Sequence, residues 1–278
     1  MAESKQDRLD AVRYPAGGPG RQLKAGMKAG KVQLGGIIAE YARPSLVKMY
    51  QQAGFDFVYI EYEHMMFNGS DMVDTVLAAR DNGLPVVAKT PQLERAEVAK
   101  LLECGVVGIQ LPRTETVDEV KTLLDYIKFP PAGTRAYAAG YGNSSYMKVG
   151  NIREWMVEQD EEVTLVVHIE TKVGYQNAEA IVSTPGVDMV YVGPGDFSVE
   201  MGQPGAAEHP DVRGPMEEIL EMCKAHGVPF GTTAMSLEGA ARWVEKGALF
   251  FEAEDEYGFI REGAAHLVDA YRKFGEDG

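Results

Sequence analysis

Residues 163–170 read Val163-Thr164-Leu165-Val166-Val167-His168-Ile169-Glu170, and 189–196 read Met189-Val190-Tyr191-Val192-Gly193-Pro194-Gly195-Asp196. Each is a short β-rich run that ends in polar residues, and the segment between them is long enough for a helical crossover. That pairing is the signature of neighbouring parallel strands. Working outward, the same unit recurs. The remaining strand candidates are Val32–Ala39, Phe57–Tyr62, Pro85–Thr90, Val107–Leu111, Pro229–Thr233 and Leu249–Ala253, which makes eight with Val163–Glu170 and Met189–Gly193. Helical patterns follow them. Ser70 can cap one helix, with Met72, Val73, Val76 and Leu77 on its apolar face and Asn82-Gly83 as its stop. Thr116 and Glu119 form a capping box for another, with Val117, Val120, Leu123, Leu124 and Ile127 as its stripe. Eight sequential units favour a closed (β/α)8 TIM barrel over an open sheet, as one α/β domain over residues 23–278. Residues 1–22, rich in Gly and Pro, are expected as a flexible N-terminal arm, and Pro130–Asp160 as an extended loop over one mouth of the barrel.

Composition narrows the function classes. The chain of 278 residues is 45% hydrophobic and 25% charged, enough for a large core. With 27 Lys and Arg against 42 Asp and Glu its formal charge is −15, a field that repels phosphate backbones and argues against a nucleic-acid partner. The charged start and the lack of a run of ~20 apolar residues argue against a secretory signal or membrane insertion. Cys104 and Cys223, far apart and in no metal-ligand spacing, point to a reducing compartment, hence a cytoplasmic protein.

In barrels of this type, chemistry sits where strands end and loops begin. Here those ends carry Glu61-Tyr62-Glu63-His64, Lys89-Thr90, Gln110-Leu111-Pro112-Arg113, His168-Ile169-Glu170 and Gly193-Pro194-Gly195-Asp196. Strand side chains alternate, so His168 shares a face with Glu170, and Glu61 with Glu63. Converging carboxylates from adjacent strands, Glu170 and Asp196, are costly to hold together unless a cation such as Mg²⁺ neutralises them. Equally, from spacing alone, these acids cap helices or pair with Lys89 or Arg113. His64, beside several acids, reads either as a general base or as a structural histidine. Nucleophile elbows, Walker loops, His-Glu-x-x-His and Cys-x-x-Cys are all missing, and the helical setting of Cys104 argues against a nucleophile.

Taken in order, these residues resemble the HpcH/HpaI aldolase family, class II metal-dependent pyruvate aldolases of the phosphoenolpyruvate/pyruvate barrel superfamily. The likeness runs from about Lys24 to Phe274. It is carried by Ala53-Gly54-Phe55-Asp56, Glu63-His64, Phe129-Pro130-Pro131-Ala132-Gly133-Thr134-Arg135, His168-Ile169-Glu170-Thr171, Pro185-Gly186-Val187-Asp188, Val192 to Ser198 and His209-Pro210. The resemblance implies that Glu170 and Asp196 bind Mg²⁺, Mn²⁺ or Co²⁺, which chelates pyruvate and stabilises its enolate. It implies a base in His64 paired with Glu103, and backbone amides at Gly195 and Asp196 that bind the pyruvate carboxylate. The expected reaction is reversible aldol cleavage of a 4-hydroxy-2-oxo acid to pyruvate, or a similar 2-oxo acid, and an aldehyde. The alternatives are a diverged enolate-type lyase, a 2-oxo acid decarboxylase or hydrolase on the same metal site, and a barrel without catalysis. A homo-oligomer is expected, a hexamer by analogy, interlocked through the last helix near Glu262–Phe274.

Several positions depart from the family pattern. Lys89 stands where an arginine contacts the keto oxygen, and the loss of the planar fork is not conservative. His168 replaces a glutamine and can touch pyruvate, a metal-bound water or the metal. Glu61, in the substrate region, replaces an aspartate. Glu252, Glu254, Asp255 and Glu256 replace a neutral Val-Gly-x-Asp pattern. A Schiff-base role for Lys89 is a further reading, redundant beside an intact metal site.

Overall fold

A computed structural model describes residues 18–276. In chain order the elements are α1 (Pro19–Lys28), β1 (Gln33–Ile38), α2 (Pro44–Ala53), β2 (Phe57–Glu61), α3 (Gly69–Asp81), β3 (Val86–Lys89), α4 (Arg95–Cys104), β4 (Gly108–Leu111) and α5 (Val117–Ile127). A short 3₁₀ turn (Gly142–Ser144) precedes α6 (Ile152–Glu162). Then come β5 (Thr164–His168), α7 (Lys172–Gln176), α8 (Ala178–Val182), β6 (Met189–Val192), α9 (Pro194–Glu200), α10 (Pro210–His226), β7 (Phe230–Thr232), α11 (Leu237–Lys246), β8 (Phe250–Asp255) and α12 (Glu256–Glu276). The eight strands close into a parallel barrel in sequence order, the (β/α)8 fold expected from the repeat.

Strand alternation sorts most strand side chains into one of two cores. One face of each strand, including Val58, Ile60, Val86, Ala88, Ile109, Leu165, Val167 and Val190, packs against the surrounding helices. The other face fills the barrel. Its lower layer is apolar: Phe57, Val87, Val166, Met189 and Phe250 meet there, and Leu23 and Met27 of α1 close it from below. Phe57 and Phe250 stack with centroids 4.1 Å apart. Further along the strands on the same face the interior turns polar, two residues on at Lys89, His168 and Glu252, four on at Glu61, and at Gln110 of β4. Thus the period of two that makes the sheet also delivers the site to the C-terminal mouth.

Local structure departs from expectation at three places. Asn68, not Ser70, caps α3, its side chain accepting the Ser70 amide, so the helix begins at Gly69. Of the arm expected over 1–22, residues 1–17 lie outside those described, while residues 19–22 already belong to α1. The Glu162 carboxylate holds that helix, accepting the Gly20 amide at 2.8 Å and Arg21 Nε at 3.2 Å. The stretch Pro130–Asp160 is only partly a loop, because the Asn151 cap starts α6 within it. Its Tyr141–Tyr146 portion lies along α3 and α4, flanking a cavity on the outer side of the barrel. The Thr116–Glu119 capping box is present as read. No helix among the described residues is long and apolar enough to cross a membrane.

Candidate active site

At the C-terminal mouth, a cavity of about 390 Å³ is lined by Glu61, His64, Lys89, His168, Glu170, Gly195 and Asp196. All but one of the site residues expected from the sequence therefore meet in one place. Glu103 does not join them. It lines the separate cavity between α3 and α4, with Tyr62, Cys104 and Tyr141, a cavity that His64 does not line.

Glu170 follows β5 and is 2% exposed. Its Oε1 accepts the Arg113 amide at 2.7 Å, from a residue held in the left-handed region at φ 46°. Its Oε2 lies 3.2 Å from His168 Nε2 and 4.0 Å from Lys89 Nζ. Burial pushes the Glu170 carboxyl up to about 7, and the charges of Glu63 and Asp196 add to that; Lys89 and the Arg113 amide oppose it. The His168 ring is fully enclosed, and burial, then the nearby Lys89 and His64, keep it well below the ordinary histidine range, hence neutral. Its Nδ1 is 3.2 Å from the Gln110 side-chain amide, and its Nε2 makes no hydrogen bond.

Lys89, at the end of β3, is 3% exposed and tied to the acids of β2. Its Nζ is 2.6 Å from Glu63 and 3.8 Å from Glu61. Burial works against the charge, but Glu170, Glu61 and Glu63 outweigh it and raise the pKa. Lys89 is thus an ammonium, the wrong protonation state for a Schiff-base nucleophile. Glu61 accepts the amides of Glu63 and His64 at 3.1 and 3.4 Å and the Tyr59 hydroxyl at 3.2 Å, so it shapes the turn that carries His64. His64 itself stands at the mouth, its side chain 57% exposed and its Nε2 3.5 Å from Glu63. Ligand atoms of Glu61, Glu63 and His64 also fall within 4.8 Å of one another, but there the ammonium of Lys89 already supplies the cation.

The acidic run of β8 separates by face. Glu252 points into the barrel, fully enclosed, and burial raises its carboxyl well above the usual range, with Glu61 adding to the effect. Asp255 accepts the Gly258 amide at the start of α12. Glu256 accepts the amides of Ala39, Glu40 and Tyr41, at 2.5–3.1 Å, and so fastens the loop after β1. Of the four acids that together depart from the family pattern here, only Glu252 and Asp255 line the cavity. Tyr59 and Tyr191, absent from the residues expected from the sequence, line it too. The missed signal was again the period of two: Tyr59 precedes Glu61, and Tyr191 precedes Gly193, on the same faces.

The residues at Glu170 fit a divalent cation. The fit lies in the chemistry of the donors: an enclosed carboxylate, Glu170, a second carboxylate, Asp196, near enough to add to the rise in its pKa, and beside Glu170 an imidazole nitrogen without a hydrogen bond.

Known proteins share this fold. The family model for HpcH/HpaI aldolase/citrate lyase matches residues 36–256. A 5-keto-4-deoxy-D-glucarate aldolase from Salmonella arizonae is 29% identical over 252 residues, covering 91% of this chain and 97% of the relative. An HpcH/HpaI aldolase from Desulfitobacterium hafniense superposes with a TM-score of 0.85 at 27% identity, covering 90% of this chain and 96% of that one. Macrophomate synthase shares the fold, with a TM-score of 0.82 at 22% identity over both full chains. The matched stretch runs from β1 to the start of α12 and takes in every strand end that builds the cavity, and the chain belongs to the HpcH/HpaI aldolase/citrate lyase family.

Proposed function

We propose that this chain cleaves a 4-hydroxy-2-oxo acid, reversibly, to pyruvate or a similar 2-oxo acid and an aldehyde. The observation that carries the reading is Glu170, enclosed at the head of the cavity with Asp196 nearby and its carboxyl pushed up to about 7. Glu170 and Asp196 would hold a divalent ion, Mg²⁺, Mn²⁺ or Co²⁺, which would supply Lewis-acid stabilisation for the negative charge left on the 2-oxo acid by carbon–carbon cleavage. The chain's own groups do the rest. The amides of Gly195 and Asp196, in the first turn of α9, lack intrahelical acceptors and suit a carboxylate. Lys89, kept charged by three acids, supplies a positive charge beside the keto oxygen. His64, at the open mouth, moves the proton between water and the substrate.

Glu103 is placed by the resemblance as the acid paired with His64. It lines another cavity, so within one chain nothing supports that pairing. Homo-oligomerisation is supported by the exposed apolar stripe of α12, where Ile260, Leu267, Tyr271 and Phe274 face outward. Two unbridged cysteines support a cytoplasmic setting. Glu61 and Asp255 give the cavity an acidic lining and favour an uncharged aldehyde over an acidic one.

The test is a panel of 4-hydroxy-2-oxo acids, with pyruvate followed by a coupled dehydrogenase. Metal-dependent release of pyruvate and aldehyde in equal amounts is the expected result. Release of CO₂ from 2-oxo diacids without aldehyde would replace this reading with a decarboxylase.

A further inference from the structure

We propose that His168, through Nε2, joins Glu170 as a protein ligand of the ion, and that it tunes the site toward Co²⁺-like transition ions over Mg²⁺. The proposal rests on the aldolase reading, since it takes the ion to be at Glu170.

Four observations carry it. His168 is 3% exposed, and its Nε2 lies 3.2 Å from Glu170 Oε2 without making a hydrogen bond. Donors about 2.1 Å from an octahedral ion and at right angles to each other are about 3 Å apart, so this spacing suits two adjacent ligands. The ring is fixed, edge-on to Tyr191 with centroids 4.8 Å apart. At Gly193, on the neighbouring strand's end, a Cβ would fall 2.4 Å from Nε2 and 3.6 Å from Glu170 Oε2. The backbone of that strand end therefore leaves open the space into which nitrogen and oxygen both face.

The fourth observation concerns Gln110. Its Nε2 sits against His168 Nδ1 at 3.2 Å, while its Oε1 is buried and has no partner. The two ends of an amide are nearly the same size, so a half-turn exchanges them in place. Nδ1–H then donates to Oε1, which gives the orphaned oxygen a partner and leaves the lone pair on Nε2. This is the arrangement of a metal-bound histidine whose other nitrogen is oriented by a neighbouring acceptor. Imidazole suits late transition ions, whereas carboxylate and water suit Mg²⁺. Glutamine, the residue of the resembled family at this position, offers only an amide.

The experiment compares wild type with His168→Gln, His64→Asn and Glu170→Gln. Pulsed EPR of the Mn²⁺-loaded proteins reads directly bound nitrogen, and titration calorimetry reads Co²⁺ and Mg²⁺ affinity. Expected is a bound-nitrogen coupling in wild type that survives His64→Asn and is lost in His168→Gln. Co²⁺ affinity should fall about tenfold or more in His168→Gln. Mg²⁺ affinity should change less than about threefold, which also shows that the variant is folded. Absence of the coupling from wild type, or its persistence in His168→Gln, overturns the proposal, as does an equal loss of affinity for both ions. If Glu170→Gln leaves all metal affinity intact, the metal centre itself is misplaced and both readings fall. If Glu170→Gln abolishes binding and no nitrogen couples in wild type, only the role of His168 falls.

Discussion

At the scale of the residue, the site is defined by which side chains share one strand face and how close they come. Glu170, His168 and Gly193 show how little tolerance there is, since one added methyl at Gly193 would occupy the space of the imidazole nitrogen. Gly193→Ala is therefore expected to push His168 aside and lower metal affinity by at least about tenfold, a fall of about 1.4 kcal/mol. Calorimetric titration with Co²⁺ checks this, and unchanged affinity would show that the ring has room to spare. Glu170, Asp196, His64 and Lys89 were legible as candidate site residues because each lies at or just beyond a strand's C-terminal end, where barrels do chemistry. Their pairings were not. That Lys89 would bind Glu63 rather than stand free, and that Glu61 would accept two amides of its own turn, depends on distances that alternation does not fix. Glu103 was legible only through family likeness, and the chain alone leaves it outside the site.

At the scale of the element, the eight strands were readable because both their faces are buried, which turns each into a short apolar run. Helix starts were less so. Asn68 and Ser70 are both good caps, and nothing local decides between them. The expected loop Pro130–Asp160 hid α6, a polar helix with a single large buried anchor, Trp155, which gives no apolar stripe to recognise. The acidic run at the junction of β8 and α12 illustrates the same limit, because Glu256 serves the backbone of another element. Three amides of the loop after β1 converge on its carboxylate, and hydrogen bonds to a charged acceptor contribute about 1.5–3 kcal/mol each before competing costs. Glu256→Ala should therefore lower stability by about 2–4 kcal/mol and loosen residues 39–41. Urea unfolding and amide hydrogen exchange check the two parts. A loss under about 0.5 kcal/mol, the size of an ordinary surface change, would contradict the assignment.

At the scale of the molecule, the barrel interior is divided into an apolar floor sealed by α1 and a polar upper layer in which charge is buried at a cost. Glu252 shows this most clearly. Unfolded, it ionises near 4.5; folded, burial holds its carboxyl well above that. The native state therefore keeps a proton that the unfolded chain releases, and the stability linked to Glu252 is full below about pH 4.5 and is lost as pH rises toward the folded pKa. The slope for one group is at most about 1.4 kcal/mol per pH unit. In EDTA, the urea midpoint of Glu252→Gln should gain on that of wild type as pH is raised from about 5 to about 8. A constant offset across that range would mean that Glu252 is not the buried acid responsible.

The central claim is that this cavity activates the carbon next to the keto group of a 2-oxo acid, and it needs no knowledge of the aldehyde. The most direct measurement is the proton NMR signal of the pyruvate methyl group in D₂O with enzyme and Mg²⁺, Mn²⁺ or Co²⁺. The account predicts that the signal decays, that EDTA stops the decay, and that Glu170→Gln abolishes it. A methyl signal that persists with every one of these ions would contradict it.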